Sequence, residues 1–209
     1  MQGNLIGTKK SGESALGNGF GGVEIFGASA DNTVGGQTAG AANTIAFNSG
    51  DGVAIYGAQE GNLGNSVLRN SIFSNVGIGI DLIRSVLEGD SDRTANDPPP
   101  DADTGANNLQ NFPVITSAKT STTATTIRGR LNSTPGQVFR VRFFSNPSGT
   151  NEGKKFLGQI IVTTGPDGLV PFVFEPARRV ALGQAITATA TDPEGNTSEF
   201  SAPRSVEAG

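Results

Sequence analysis

Two stretches of the chain carry the same order of residue types. "NTIAFNSGDGVAIYG" runs from Asn43 to Gly57, and "NSIFSNVGIGIDL" starts at Asn70. Each reads asparagine, small polar residue, isoleucine, a second asparagine, then glycine and alternating apolar residues. The order extends across the first half. "NLIG" at Asn4 aligns with "NTVG" at Asn32 and "NSVL" at Asn65, and "GVEIFG" at Gly22 aligns with "GVAIYG" at Gly52 and "GIGIDL" at Gly77. Offsets of 25 to 33 residues mark a stacked architecture. One such unit buries little alone, so neighbouring units must supply its core.

The unit is made of strands. Val23 and Ile25, Val53 and Ile55, and Ile78 and Ile80 alternate with small or polar residues, which turns one side of each segment inward. Three short strands per repeat, joined by turns, predict about three coils of a right-handed parallel β-helix over residues 1–88. Inward residues then pile into the columns Val23–Val53–Ile78 and Ile25–Ile55–Ile80. Asparagine tolerates a left-handed backbone and can hydrogen-bond locally. Ladders are expected at Asn4–Asn32–Asn65, Asn43–Asn70 and Asn48–Asn75; taken singly, the same residues serve as turn formers. "TKKSGESALGNGFG" and "GAQEGNLG" read as loops bulging from one side, positions where binding function concentrates. The match begins at Asn4 with no capping helix before it. The chain is therefore expected to start within a solenoid, or to associate end to end with another molecule.

Charge and pattern change together near residue 112. Residues 1–112 hold five Lys/Arg against twelve Asp/Glu, net −7, whereas residues 113–209 hold ten against seven, net +3. Between the halves lies an acidic, Pro-rich junction, residues 89–112, with three consecutive prolines that cannot sit inside a strand ladder. From Pro113, seven longer alternating segments follow: "PVITSAKT", "TTATTIRGRL", "QVFRVRFFSN", "KFLGQIIVTT", "GLVPFVFE", "QAITATATD" and "TSEFSAP". Turn signals separate them, among them "STPG", "NPSG", "GPDG" and "DPEGN". Seven short strands over residues 113–203 predict an immunoglobulin-like β-sandwich, with residues 204–209 as a tail. Its core is expected from Ile127, Leu131, Phe139, Val141, Phe143, Leu157, Ile161, Val170, Phe172, Val173, Ile186 and Phe200. The whole chain reads as all-β.

Chemistry is narrowed by what the sequence lacks. With neither Cys nor His, there is no disulfide framework, no Ser-His-Asp or Cys-His arrangement and no ordinary zinc ligand set. No signal-peptide apolar run opens the sequence, and no segment is long enough to span a membrane. The acidic first half and the lack of basic-aromatic interleaving argue against nucleic acid. In the junction, "DADTG" has the alternating carboxylates and glycine of part of a Ca²⁺ loop, without its full ligand series. Asp97, Asp101 and Asp103 are the candidate calcium ligands; the bland reading is a solvated acidic linker. In "IRGRL" and "FRVRF", arginines alternate with apolar residues, so Arg128, Arg130, Arg140 and Arg142 are expected outward. On neighbouring strands they would form one face able to grip a carboxylated or sulfated polysaccharide, or would simply be a soluble sheet face with partners such as Glu175 or Glu199. Catalysis has thinner support: Glu24, Asp51 and Asp81 are the carboxylates placed outward on the coils. Glu24 and Asp81 are the candidate glycosidase pair, which needs roughly 5–10 Å between carboxyls; two strand spacings of about 4.8 Å come close to that. Asp51 with Arg69 or Arg84 is a thin substitute for the carboxylate and basic group of a lyase.

The quoted motifs resemble a bacterial pattern. "NTVGGQTAGAANTIAFNSGDGVAIYG" is similar to the parallel β-helix repeats of large secreted or surface proteins. "DADTGANNLQNFPVI" is similar to the junction that follows their last coil, and "FLGQIIVTT" with "GQAITATATDPEGNTSEFS" to the immunoglobulin-like module after it. The resemblance implies an extracellular or cell-envelope structural and adhesive module, a fragment of a larger surface protein. Its partners would be acidic polysaccharide or another surface protein, without membrane insertion. The alternative is a polysaccharide-binding or polysaccharide-cleaving protein of the pectin-acting type. Fold alone does not decide between them.

Overall fold

In a computed structural model, residues 1–57, 62–83 and 93–209 are described. Arg84, Asp90 and Asp92, and part of the "GAQEGNLG" loop, lie outside the described residues. The chain is all-β. Its first half contributes β1 (Leu5–Ile6), β2 (Val23–Ile25), β3 (Thr33–Gly35), β4 (Thr44–Ala46), β5 (Val53–Tyr56), β6 (Ser66–Leu68), β7 (Ser71–Phe73) and β8 (Ile80–Ile83). These pair in parallel as β1-β4-β7, β2-β5-β8 and β3-β6. The chain thus visits three sheets in a fixed order and returns to the first. Ile25, Val34, Ile45, Val53, Ile55, Val67, Ile72, Ile80 and Leu82 fill the space between the sheets.

The columns differ from the sequence expectation by two residues in the last coil. Val53 pairs with Ile80 and Ile55 with Leu82, so the columns are Val23–Val53–Ile80 and Ile25–Ile55–Leu82. "GIGIDL" alternates, so a shift of two keeps the same side inward and pattern alone cannot fix the register. Glycine fixes it. A Cβ on Gly22 would lie 2.7 Å from the carbonyl oxygen of Gly52, and one on Gly52 2.5 Å from that of Gly79. The repeated glycine is therefore Gly79, where a Cβ would meet the Phe200 ring at 2.8 Å in place of a further coil.

The asparagine ladders are also regrouped. Asn4 donates its backbone N–H and its Nδ2 to Oδ1 of Asn43, at 3.0 and 2.9 Å, and Asn43 donates both to Oδ1 of Asn70 in the same way. Asn18, Asn48 and Asn75 form a second ladder, and Asn32 and Asn65 belong to a third. Asn4 thus leads the Asn43–Asn70 ladder, not the Asn32–Asn65 one. Nor do these asparagines hold the left-handed backbone. For Asn32, Asn48, Asn65, Asn70 and Asn75 the preceding residue does: Asp31, Phe47, Gly64, Arg69 and Ser74 have φ between 57° and 70°. Asparagine is used for its amide, which bonds along the stack, and not for its tolerance of αL.

The second half contributes β9 (Val114–Thr120), β10 (Thr125–Asn132), β11 (Val138–Asn146), β12 (Lys155–Thr163), β13 (Leu169–Phe174), β14 (Ala185–Thr191), β15 (Arg204–Ser205) and β16 (Glu207–Ala208). They form two four-stranded sheets, β13-β10-β9-β16 and β12-β11-β14-β15. Between them pack Ile115, Ile127, Leu131, Phe139, Val141, Phe143, Phe172, Phe174 and Ile186. The expected seventh strand, "TSEFSAP", is replaced by β15 and β16 from the segment read as a tail, with Val206 buried. Two expected core residues face solvent: Ile161 is 63% and Val173 51% exposed. For Ile161 the cause is a bulge. Phe143 pairs with Gly158 but Phe144 with Phe156, so the inward side passes from Leu157 to Ile160 and Val162. Phe200 is buried, but in the other core, among the coils.

Candidate functional site

Along each ladder an asparagine donates to Oδ1 of the next, so the ladders that end at Asn65 and Asn75 present N–H groups that need acceptors, whereas Asn70 turns its Nδ2 back to the Val34 carbonyl. The second half supplies them. The Glu152 carboxylate accepts from the backbone N–H groups of Ser74 and Asn75 and from Asn75 Nδ2. Asn107 Oδ1 accepts from the N–H of Asn65 at 3.0 Å. Glu199 accepts from the N–H groups of Leu82 and Thr94 at 3.0 and 2.8 Å. Thr197 Oγ1 accepts from Val67, and Ile72 and Gly153 exchange backbone bonds. Phe144 and Phe200 pack edge to face at 5.2 Å inside the coil core, joined there by Ala106 and Leu109. "NTSEF" and "ANNLQ" are thus parts of an end seal. Burial pushes the Glu199 carboxyl up to about 7 against its two backbone donors, and raises Glu152 as well. Sequence reading missed this seam. Its one local signal is a glutamate, Glu199, among apolar and hydroxyl neighbours in "TSEFS".

The described part of the junction, residues 93–112, is not a solvated linker. Ala106 and Leu109 pack into the core of the coils, and Asp101 bonds Ser133 of the sandwich. One carboxylate oxygen from each of Asp97, Asp101 and Asp103 lies within 4.8 Å of the others. Asp101 Oδ2 accepts from Gln110 Nε2, from the N–H of Asn111 and from the Ser133 hydroxyl. Asp97 is held by Asn111 Nδ2 and bonds Ala102 N–H. Asp101 Oδ1 is buried without a hydrogen bond among the described residues. Burial pushes the Asp101 carboxyl up to about 7, and the charges of Asp97 and Asp103 add to this. Two oxygens across a Ca²⁺ ion, each about 2.4 Å from it, are about 4.8 Å apart. The donor set and the orphaned oxygen fit a hard divalent cation.

The four arginines do not share a face. Arg128 and Arg130 are exposed on β10, in one sheet, and Arg140 and Arg142 lie on β11, in the other. Arg142 is not outward: it is 1% exposed, at the seam, where Nη1 donates to Thr191 Oγ1 at 2.9 Å. Burial, helped by the charges of Arg140 and Arg69, pulls its pKa down to about 10. Glu175 bonds Thr126, and Glu199 is committed to the coil end, so neither answers these arginines.

Glu24 and Asp81 occupy one column, with Ala54 between them. Glu24 is exposed; Asp81 is buried, 2% exposed. Asp51 accepts from the N–H of Ile78 and hydrogen-bonds Asp81; burial raises its pKa and the nearby charge of Glu24 adds to this. The expected pair of Glu24 and Asp81 is thus split between an exposed carboxylate and a buried one, and the buried one is engaged with Asp51.

Comparison of the sequence with models of known protein families gives no match, and comparison with curated proteins gives none. No helix among the described residues is long and apolar enough to cross a membrane.

Proposed function

We propose that the chain is a structural and adhesive module of the cell surface or extracellular space. In this reading a right-handed parallel β-helix is clamped end-on to an immunoglobulin-like β-sandwich. The observation that carries it is the seam, where Glu152, Asn107 and Glu199 complete the hydrogen bonding of the last coil. A solenoid whose end is sealed by the next domain transmits orientation along its axis, as a stalk must. Separate domains on a flexible linker would not, because few contacts would cross the boundary.

Calcium belongs to the same reading. Asp97, Asp101 and Asp103 would hold the ion, and its charge would offset three crowded carboxylates next to Ser133 of the sandwich. Surface location is tested by treating intact cells of the source organism with protease. The chain should be cleaved from outside, and protection until the cells are lysed would refute the placement. Rigidity is tested by solution scattering: the chain should keep one maximum dimension across ionic strengths, and a broad distribution of dimensions would refute the stalk.

A further inference from the structure

A cavity of about 520 Å³ opens where the β12-β11-β14 sheet meets the β3–β6 side of the coils. Val138, Leu68 and Ile161 give it apolar walls, and Gln37 and Thr191 add polar groups. Arg140, half-exposed, and Arg142, buried, both border it. Arg69 is near enough for its charge to act on Arg142, and its guanidinium lies over the Phe156 ring at 4.4 Å. Among the described residues none of the three has a carboxylate within ion-pair distance; such a pair is seen at Arg204–Glu207. Asp192 also borders the cavity, but its two oxygens accept from Asn196.

Behind the wall, polar groups go unanswered. Gln159, Arg142 and Thr189 stand side by side across β12, β11 and β14. Each has one buried atom without a hydrogen bond among the described residues: Gln159 Oε1, Arg142 Nε and Thr189 Oγ1. A buried guanidinium with an idle N–H is costly unless something answers it. A forked guanidinium is matched by an oxyanion. The volume lies in the range of small-molecule sites, roughly 300–1,000 Å³, and the apolar walls suit a ring with an apolar face.

We propose that this cavity binds an acidic sugar residue, its carboxylate or sulfate oxygens held by Arg140 and Arg142 and its ring set against Val138, Leu68 and Ile161. The site goes beyond the stalk reading and does not depend on calcium. Ring hydroxyls, which both donate and accept, suit the exposed Gln37 amide better than a bare anion would, while Thr191, bonded to Arg142 and Thr197, holds Arg142 in place.

The test is calorimetric titration of the full chain with four probes: trigalacturonate, a sulfated galactose oligomer without uronate, neutral maltotriose, and inorganic sulfate. At least one acidic oligomer should bind saturably with a dissociation constant on the order of 0.1 mM, more weakly as salt rises. Which of the two binds identifies the oxyanion. Arg140→Gln, half-exposed and so compatible with folding, should weaken binding about tenfold or more, roughly 1.4 kcal/mol, with an unchanged melting temperature. Arg128→Gln, with the same loss of charge on the other sheet, should bind as the unmodified chain does. Absence of saturable binding at millimolar probe overturns the proposal. So does equal weakening in Arg128→Gln, which means diffuse attraction. Inorganic sulfate or maltotriose binding as tightly as the acidic oligomer overturns recognition of an acidic sugar.

Discussion

Replacing Asn70 by alanine should cost far more stability than the same change at Asn4, although both belong to one ladder. Asn70 is buried, and its amide makes three bonds: Oδ1 accepts from the N–H and Nδ2 of Asn43, and Nδ2 donates to the carbonyl of Val34 at 2.9 Å. Truncation leaves those three groups unanswered in the interior, each costing roughly 1–3 kcal/mol. Relaxation will recover part, so we expect a loss of about 3–5 kcal/mol, which is a large share of the roughly 5–15 kcal/mol that folded chains possess. In a chain of this size that lowers the melting temperature by on the order of 10 °C. Asn4 is exposed and donates to Gln2 and Asn43 where water can replace it. Its truncation should cost about 0.5 kcal/mol. Urea unfolding followed by circular dichroism measures both. Equal losses within error would refute the ladder as a source of stability and leave asparagine as a turn former.

Gly52→Ala should destabilise by more than about 2 kcal/mol, because the new Cβ meets Ile72 and the Gly79 carbonyl; Gly19→Ala, where nothing lies within 4 Å, should be neutral. Comparing the two melts checks this. Glu199 and Asp101 are both raised to about 7 in the folded state, so stability should fall as pH rises from about 4 to about 7 and then level off, Glu199 contributing about 3 kcal/mol of the fall. Glu199→Gln should remove that share and leave a shallower fall from Asp101, and Glu199→Gln with Asp101→Asn should flatten this part of the pH profile further. Calcium should raise the melting temperature, chelator should reverse it, and Asp101→Asn should abolish the response; an unchanged melting temperature with chelator counts against the ion.

Alternation made the strands legible, and it did so where both readings of a register agree. Val23, Val53 and Ile25, Ile55 fall in their expected columns. Ile78 does not, because "GIGI" repeats with the period of the strand itself. Gly158 shows the same limit: a bulge changes which residue faces inward without changing the alternation written in the sequence, so Ile161 reads as core and lies outside. The three aspartates were legible because they are neighbours in sequence. The arginine face was not, since "IRGRL" and "FRVRF" look alike yet belong to opposite sheets, and only pairing tells them apart. The seam residues were hidden by distance. Glu152 meets Asn75 across 77 residues and Glu199 meets Leu82 across 117.

The direction of the ladders explains why a carboxylate, Glu152, closes the Asn18–Asn48–Asn75 column, while Glu199 answers the backbone N–H groups of Leu82 and Thr94. An asparagine column ends in donors on its downstream side, and the residue that closes it must accept. A glutamate has no N–H to compete and can take several donors at once, as Glu152 does from Ser74 and Asn75. A lysine or arginine there would set donor against donor, and an apolar residue would leave buried amides unanswered. Burial raises both Glu152 and Glu199, so the closing groups carry an electrostatic cost, offset in part by the N–H groups they seal. The test is Glu152→Gln beside Glu152→Leu. The amide oxygen keeps an acceptor and should cost about 1 kcal/mol, whereas leucine removes it and should cost about 3 kcal/mol or more. If leucine proves the milder change, the seam is held by its apolar core alone, and the polarity of the ladders has no bearing on how the two halves are joined.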